Sequence, residues 1–374
     1  MKHAYAVALS VLVGLGFANP TFAEVKLGLA GPITGPNAAL GAQLKMGAEQ
    51  AVEDINAAGG ILGQKIEVVV GDDASDPKQG VSVANRFASE GVNFVVGHIN
   101  SGVSIPASEV YLENNIVQIT PGSTAPALTD RGQWNVFRTC GRDDQQGSVA
   151  GGYMAKTYAN RKVAVVHDKT AYGMGVALET QKAINAGGLK EALFEGINPG
   201  EKDYSALVSK LKEAGIVAVY YGGMYPEAGL IIRQMRDQGV DAAMIAGDGI
   251  VSSEFPSIAG PGAAGTLMTF TADPRKIPAN KEIVDRFLAK GFDPESYTLY
   301  SYAAVQILKQ AAEEAGTLDG QKVAAVMHSG KEFDTVAGKI AYDAKGDMKD
   351  PRYVIYEWKP DTSGKINYAG NEIQ

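Results

Sequence analysis

The sequence predicts an α/β protein of two similar lobes, each a parallel sheet flanked by helices, joined through a hinge of three chain crossings. Three observations carry this. Strand and helix patterns alternate with little interruption from Glu24 to about Arg142, and past Arg142 the alternation begins again. From Asp273 onward the chain turns to long helices and two short strands, too few elements for a third lobe. Alternation of this kind implies parallel strands with right-handed crossovers.

In chain order, VKLGLAG leads through a Gly/Pro turn into a helix over about Ala42 to Ala58, with Leu44, Ala48, Ala51, Val52 and Ile55 on one face and Gly59-Gly60 as its stop. KIEVVVGDD is the second strand, and Pro77 opens a helix carrying Val81, Ala84 and Ala88. VNFVVG and IVQIT are the third and fourth strands, short β-branched runs bounded by Gly and Pro. The second lobe reads as a helix over Asp143 to Tyr158, KVAVVHD, a helix from Tyr172, EALFEGI, a helix from Tyr204, IVAVYYGG, a helix over Pro226 to Gln238, AAMIAGDG and TLMTF. NKEIVDRFLAKG and the helices Thr298 to Ala315 and Gly320 to His328 are expected to return over the first lobe, and the strand YVIYEW to cross back to the second. The expected partition is 24–142 plus 273–350 for lobe 1 and 143–272 plus 351–374 for lobe 2, with hinges near Arg142, Ala272 and Asp350. No low-complexity spacer interrupts these crossings, which suits a stiff hinge.

The 374 residues suffice for two cores. Residues 1–23 read as a secretory signal peptide: Lys2 and His3 precede the apolar run AYAVALSVLVGLGFA, and cleavage is expected after Ala23. The single Cys140 excludes an internal disulfide, so an exported chain must rely on packing. A net charge of −8 argues against nucleic acid or an anionic membrane as partner, and no later stretch is apolar enough for membrane insertion. A monomer is expected.

No GxxxxGK[ST], GxSxG or HExxH motif occurs, and GPGAAG (Gly260 to Gly265) precedes a strand instead of joining a strand to a helix, so it fails as a dinucleotide loop. His98 and His167 read as satisfied structural residues, and Asp72, Asp73 and Asp76 as a solvated turn lacking the spacing of a calcium loop. Cofactor and metal are both expected to be absent. The informative stretch is Gly97 to Thr129. Asn100, Ser101 and Gly102 follow one strand, and Gly122, Ser123 and Thr124 follow the next. Ligands of parallel sheets sit outside the carboxyl ends of the strands. These turns offer hydroxyls and backbone N–H groups suited to a carboxylate, with no nucleophile–base pair beside them. Tyr172, opening a helix of the second lobe, reads either as packing or as ligand contact. Asp248, a carboxylate between glycines at the end of an apolar strand, is an ordinary loop residue or a charged group awaiting a partner.

Together, GAEQAVEDINAAGGI, DDASDPKQGVSVAN, VVGHINSGVSIPAS, ITPGSTAPALTDRG, RTCGRDDQQG, VVHDKTAYGMG, NPGEKDYSALVSKL, VYYGGMYPEAG and IAGDG resemble, in order, the periplasmic leucine/isoleucine/valine-binding proteins, type I amino-acid receptors of ABC importers. The resemblance covers the whole chain past the leader. It implies that the ligand α-carboxylate meets Ser101 and Thr124 with the backbone at Asn100 and Gly122. The α-ammonium would meet Asp248 and the carbonyl of Gly122, and Tyr172 would reach in from the second lobe. Leu40 and Met224 stand where many relatives carry aromatics, Asp248 where branched-chain receptors often carry Glu, and Ser75 and Asn100 where some have a cysteine pair. The resemblance therefore implies a periplasmic, non-enzymatic protein that captures a free amino acid, branched-chain or small aliphatic, and hands it to ABC permease subunits. A receptor for a γ-amino acid or short amide is the alternative, and a secreted amidase a remote one.

Overall fold

The structure is a computed structural model describing residues 24–373, so the expected leader and its cleavage site lie outside the described residues. Five strands form the first sheet: β1 (Val25–Gly31), β2 (Ile66–Asp72), β3 (Phe94–Gly97), β4 (Val117–Thr120) and β5 (Val136–Arg138). Their order is β2-β1-β3-β4-β5, all parallel. Between them run α1 (Ala38–Ala57), α2 (Pro77–Ser89) and α3 (Ser101–Glu113). β3 and β4 are buried along their whole length, as strands covered on both faces must be, which is why they read as unbroken apolar runs. Asp76 caps α2 by accepting from the N–H groups of Lys78 and Gln79, with Pro77 in the first turn where its missing N–H costs nothing.

The second sheet follows α4 (Asp143–Thr157). Its strands are β6 (Val163–His167), β7 (Leu193–Gly196), β8 (Ala218–Gly222), β9 (Ala243–Ala246) and β10 (Leu267–Thr271), and its helices α5 (Ala171–Ala186), α6 (Ser205–Ala214), α7 (Tyr225–Asp237) and α8 (Glu254–Ala259). After β10 come α9 (Lys281–Ala289), α10 (Ser296–Ala315), α11 (Gly320–His328), the hairpin β11 (Phe333–Thr335) and β12 (Gly338–Ile340), and β13 (Tyr353–Glu357). The order in the second sheet is β13-β10-β9-β8-β6-β7, parallel except that β13 runs antiparallel to β10. The chain thus leaves the second sheet after β10 and re-enters it with β13. In between, α10 packs on α1 so closely that a Cβ at Gly47 would stand 1.9 Å from the Thr298 carbonyl oxygen, so only glycine permits this approach.

The structure adds one strand that the pattern does not announce and differs from it at the start of α1, at Leu40 and at Asp73. β5 is an edge strand of three residues, too short for a periodic signal. α1 begins at Ala38, four residues ahead of the expected start, because the Pro32 carbonyl comes up against Gly41 and the first turn packs inward. Leu40 consequently belongs to the helix and is buried beside the core with Leu44. Asp73 is not solvated: it is fully buried, 2.6 Å from Nδ1 of His98, whose Nε2 lies 2.9 Å from the Tyr111 hydroxyl. His98 is a satisfied structural residue, as expected. Cys140 is buried and free.

At the first crossing, a charged knot ties the first sheet to the returning segment. Arg138 donates through Nε to Asp347 at 2.6 Å, and Arg142 reaches the other oxygen of Asp347 at 2.7 Å. Burial opposes ionisation of Asp347, but the two guanidiniums outweigh it and hold its carboxyl below the usual range. None of the described helices is long and apolar enough to cross a membrane.

Candidate functional site

The carboxyl ends of the two sheets face each other across a cavity of about 360 Å³. The first-lobe wall includes Pro36, Asn37, Ser75, Asn100 and Ser101, and the second-lobe wall Asp168, Tyr172, Met224 and Glu227. The wall residues are held by their own bonds: Asn37 Nδ2 donates to Ser75 Oγ and Ser75 Oγ to Asn100 Oδ1, both at 2.9 Å. Asn100 is the residue before α3, and its extended backbone aims the first turn of that helix, with Ser101, into the cavity. Asp168 accepts from the N–H and hydroxyl of Thr170, ordering the turn that delivers Tyr172. Burial, resisted by those Thr170 bonds, pushes its carboxyl up to about 6. The lobes touch beside the cavity, where the Tyr225 hydroxyl donates to the Pro36 carbonyl at 2.7 Å and Gln43 Nε2 to the Val251 carbonyl at 3.0 Å.

Of the residues singled out from the sequence, Asn100, Ser101, Tyr172 and Met224 line this cavity. Gly122, Ser123, Thr124 and Asp248 do not; they form a layer behind Ser101 and Tyr172, and Leu40 is in neither place. Ser101 joins the layers, since its Oγ accepts from the N–H of Ala125 at 3.2 Å and keeps its own proton to donate. Ser123 is committed elsewhere. Its hydroxyl lies 2.6 Å from that of Ser104 and within reach of the His98 and Ile99 carbonyls, which locks the two turns together and leaves it nothing for a ligand.

The rear layer is polar and dry. Asp248 opens a 3-10 turn after β9 and is 1 % exposed. Its Oδ1 accepts from Gln146 Nε2 at 3.1 Å, and the Tyr172 hydroxyl accepts from the next N–H, that of Gly249, at 2.9 Å. Asp143, at the start of α4, is also fully buried, and its Oδ1 accepts from the same Gln146 nitrogen at 2.9 Å. Asp248 Oδ2, Asp143 Oδ2 and Thr124 Oγ1 have no hydrogen-bond partner among the described residues. Burial pushes Asp248 up to about 6 against the pull of Gln146, Tyr172 and Tyr297. Burial and then the charge of Asp248 push Asp143 up to about 8. Burial, and next Asp248, also drive the Tyr172 hydroxyl well above its ordinary value. An enclosed site that leaves acceptors unpaired favours a cationic donor. Asp143, Gln146 and Tyr297 are the members of this layer that the sequence reading did not single out. The first two lie within the stretch RTCGRDDQQG, part of the family resemblance and the only signal near them.

Two lobes with a ligand-sized cavity between their strand ends, hydroxyls on one wall and a buried carboxylate behind the other, define a hinged solute receptor. The chain belongs to the periplasmic binding protein family, whose model matches residues 24–365. It is 58% identical over 362 residues to the Leu/Ile/Val-binding protein homolog 1 of Brucella melitensis, covering 97% of each chain. Among solved structures it is similar to the leucine-binding protein LivK of Thermotoga maritima, with TM-score 0.84, 28% identity, and coverage of 92% of this chain and 98% of that one. It is likewise similar to the branched-chain amino acid substrate-binding protein LivJ of Streptococcus pneumoniae in complex with isoleucine, with TM-score 0.84, 26% identity, and coverage of 94% and 99%.

Proposed function

We propose that this chain is a periplasmic receptor that closes its two lobes around a free amino acid, branched-chain or small aliphatic, and presents it to the permease subunits of an ABC importer. The observation that carries the reading is Asp248: a fully buried carboxylate with one oxygen unpartnered, set behind a cavity whose opposite wall offers Ser101. An α-amino acid supplies the complement on both sides. Its carboxylate is met by Ser101 and Thr124 with the backbone at Asn100 and Gly122, and its ammonium by Asp248, with Tyr172 closing from the second lobe. The side chain then extends toward Met224, whose unbranched thioether adapts to more than one shape, so selectivity across aliphatic side chains is broad. The reading is supported by family membership and by the leucine and isoleucine receptors that the fold matches.

The remaining assignments follow from it. The leader is removed after Ala23, the mature chain acts as a monomer, and its lobes divide at the three crossings near Arg142, Ala272 and Asp350. Ligand bridging two lobes binds the closed form better than the open one and shifts that equilibrium. A thermal-shift screen of the protein amino acids, γ-aminobutyrate and short amides tests the proposal, because a ligand of the native state raises the melting temperature. Stabilisation by leucine, isoleucine or valine is expected. Stabilisation by amides or γ-aminobutyrate alone would replace the ligand assigned here.

A further inference from the structure

We infer that Asp143 is a second carboxylate of the ammonium site, meeting the ligand's –NH3+ beside Asp248 and giving up a proton as the ligand docks. The inference rests on the amino-acid reading above and adds one residue and one proton to it.

The geometry begins with Gln146. Its Oε1 accepts from the N–H of Asp248 at 3.2 Å and from the Thr269 hydroxyl at 3.0 Å, so the amide cannot be flipped without losing both bonds. Its nitrogen must then face the acids, and it donates one hydrogen to Oδ1 of Asp143 and the other to Oδ1 of Asp248. Both oxygens within reach of one nitrogen puts them no more than about 6 Å apart. With the amide used up, Asp143 Oδ2, Asp248 Oδ2 and Thr124 Oγ1 remain buried and unpartnered. Thr124 is fully buried and lies next to the Asp143 carboxylate. Oδ2 of Asp143 faces α5 at Gly175, one turn on from Tyr172, where there is no side chain to answer it. A primary ammonium brings three N–H donors and a positive charge, which matches these three acceptor oxygens, two on the acids and one on Thr124, whose own proton stays available to the ligand carboxylate. A hydroxyl or amide brings fewer donors and no charge.

Among the described residues no cation takes that role. Arg138 faces the pair, but its guanidinium is held by Asp347 and by the carbonyls of Ser123 and Ala125. The other titratable groups facing the pair are Cys140, Tyr172, Tyr220, Tyr297 and Tyr353, all driven upward by burial and so neutral through the physiological range. Within this layer, exchange of protons near neutrality therefore falls to Asp143 and Asp248, which titrate as a pair, while Asp168 on the cavity wall, pushed up to about 6, is already mostly ionised at pH 7. Both carboxyls lie above their ordinary range, so the empty pair keeps a proton at neutral pH. An ammonium favours the doubly ionised pair, and the proton leaves to solvent. Affinity must then rise with pH below the pair's upper step, by about tenfold per unit where a whole proton is released.

Calorimetric titration of the mature chain with L-leucine, at pH 6, 7 and 8 in phosphate and in Tris, counts the protons, because the two buffers differ in ionisation enthalpy. Release approaching one proton at pH 7 is expected, with affinity rising from pH 6 to 8. In Asp143→Asn, which keeps an oxygen for Gln146, the release should vanish, the pH dependence should flatten, and binding at pH 8 should weaken at least about tenfold by the same linkage. Leucine binding without proton exchange in the parent overturns the inference and leaves the amino-acid reading intact. Proton release that persists in Asp143→Asn also overturns it. If Asp143→Asn does not fold, the parent's proton count decides. Failure of leucine and every other protein amino acid to bind at any of the three pH values overturns the reading and the inference together.

Discussion

Replacing Asp248 by Asn separates what this carboxylate does for the ligand from what it does to the fold, and the two effects have opposite sign. In the unliganded protein Asp248 is buried, one oxygen has no partner, and its carboxyl is pushed up to about 6 from an ordinary 3.8. A carboxyl raised on folding binds protons more tightly in the native state, so the native state loses stability as pH rises from near 4 to about 6 and carries the full deficit at pH 7. At about 1.4 kcal/mol per unit, that deficit is about 3 kcal/mol. Asn at 248 removes it, since the amide can still accept from Gln146 without a charge to desolvate. The empty Asp248→Asn protein should therefore melt a few degrees above the parent at pH 7 and level with it near pH 4. With ligand the order reverses. The bound ammonium loses its opposite charge, and removing one partner of a buried pair costs about 3–5 kcal/mol when nothing replaces it. Asp248→Ala should weaken binding by about two to four decades on that scale, and Asp248→Asn by somewhat less. Calorimetry with leucine, isoleucine and valine measures the first quantity, and thermal melts of the empty protein at two pH values the second. A folded Asp248→Ala protein that binds as tightly as its parent would refute the ammonium assignment. An Asp248→Asn protein no more stable than the parent at pH 7 would refute the account of its burial.

Three further outcomes are expected. Ser101→Ala should lose about one to two decades of affinity, because a hydrogen bond to a charged group is worth about 1.5–3 kcal/mol, while a neutral result in calorimetry would move the carboxylate away from the first-lobe turn. Tyr225→Phe removes a bond to Pro36 that exists only while the lobes touch. It should weaken binding about two- to tenfold, from about 0.5–1.5 kcal/mol, and enlarge the ligand-free radius of gyration in small-angle scattering; an unchanged radius and affinity would show that this contact does not hold the lobes. Asp347 is held below its ordinary range by Arg138 and Arg142, so the stability it contributes is present above pH 4 and lost as pH falls through its lowered value. Asp347→Asn should accordingly melt lower than the parent at pH 7 and converge with it in acid, and parallel melting curves down to pH 2 would contradict that.

Much of this protein could be read from local pattern. Parallel strands covered on both faces are continuous apolar runs, so FVVG and VAVVH announce themselves, and the polar turns after them mark the binding edge because side chains there have left the sheet. That pattern singles out Ser101, Tyr172 and Asp248. Leu40 reads as part of a turn because the start of α1 is set by the packing of Gly41 against Pro32, which no periodicity records. Asp72, Asp73 and Asp76 are neighbours of one type with three different fates. Asp72 bonds Thr34, Asp76 caps α2, and Asp73 is buried because His98 comes to it.

The amino-acid order by itself determined the two α/β lobes, the return of the chain and the polar turns at the carboxyl ends of the strands, since each depends on hydrophobic period and turn chemistry within a few residues. Which buried polar groups meet was decided only by the tertiary structure. Gln146 lies 102 residues from Asp248 and reads as part of a polar helix start. It becomes a bridge between two acids only when the turn after β9 is brought against α4. A buried donor or acceptor is defined by its partner, and partners chosen across the fold leave no mark on the local pattern.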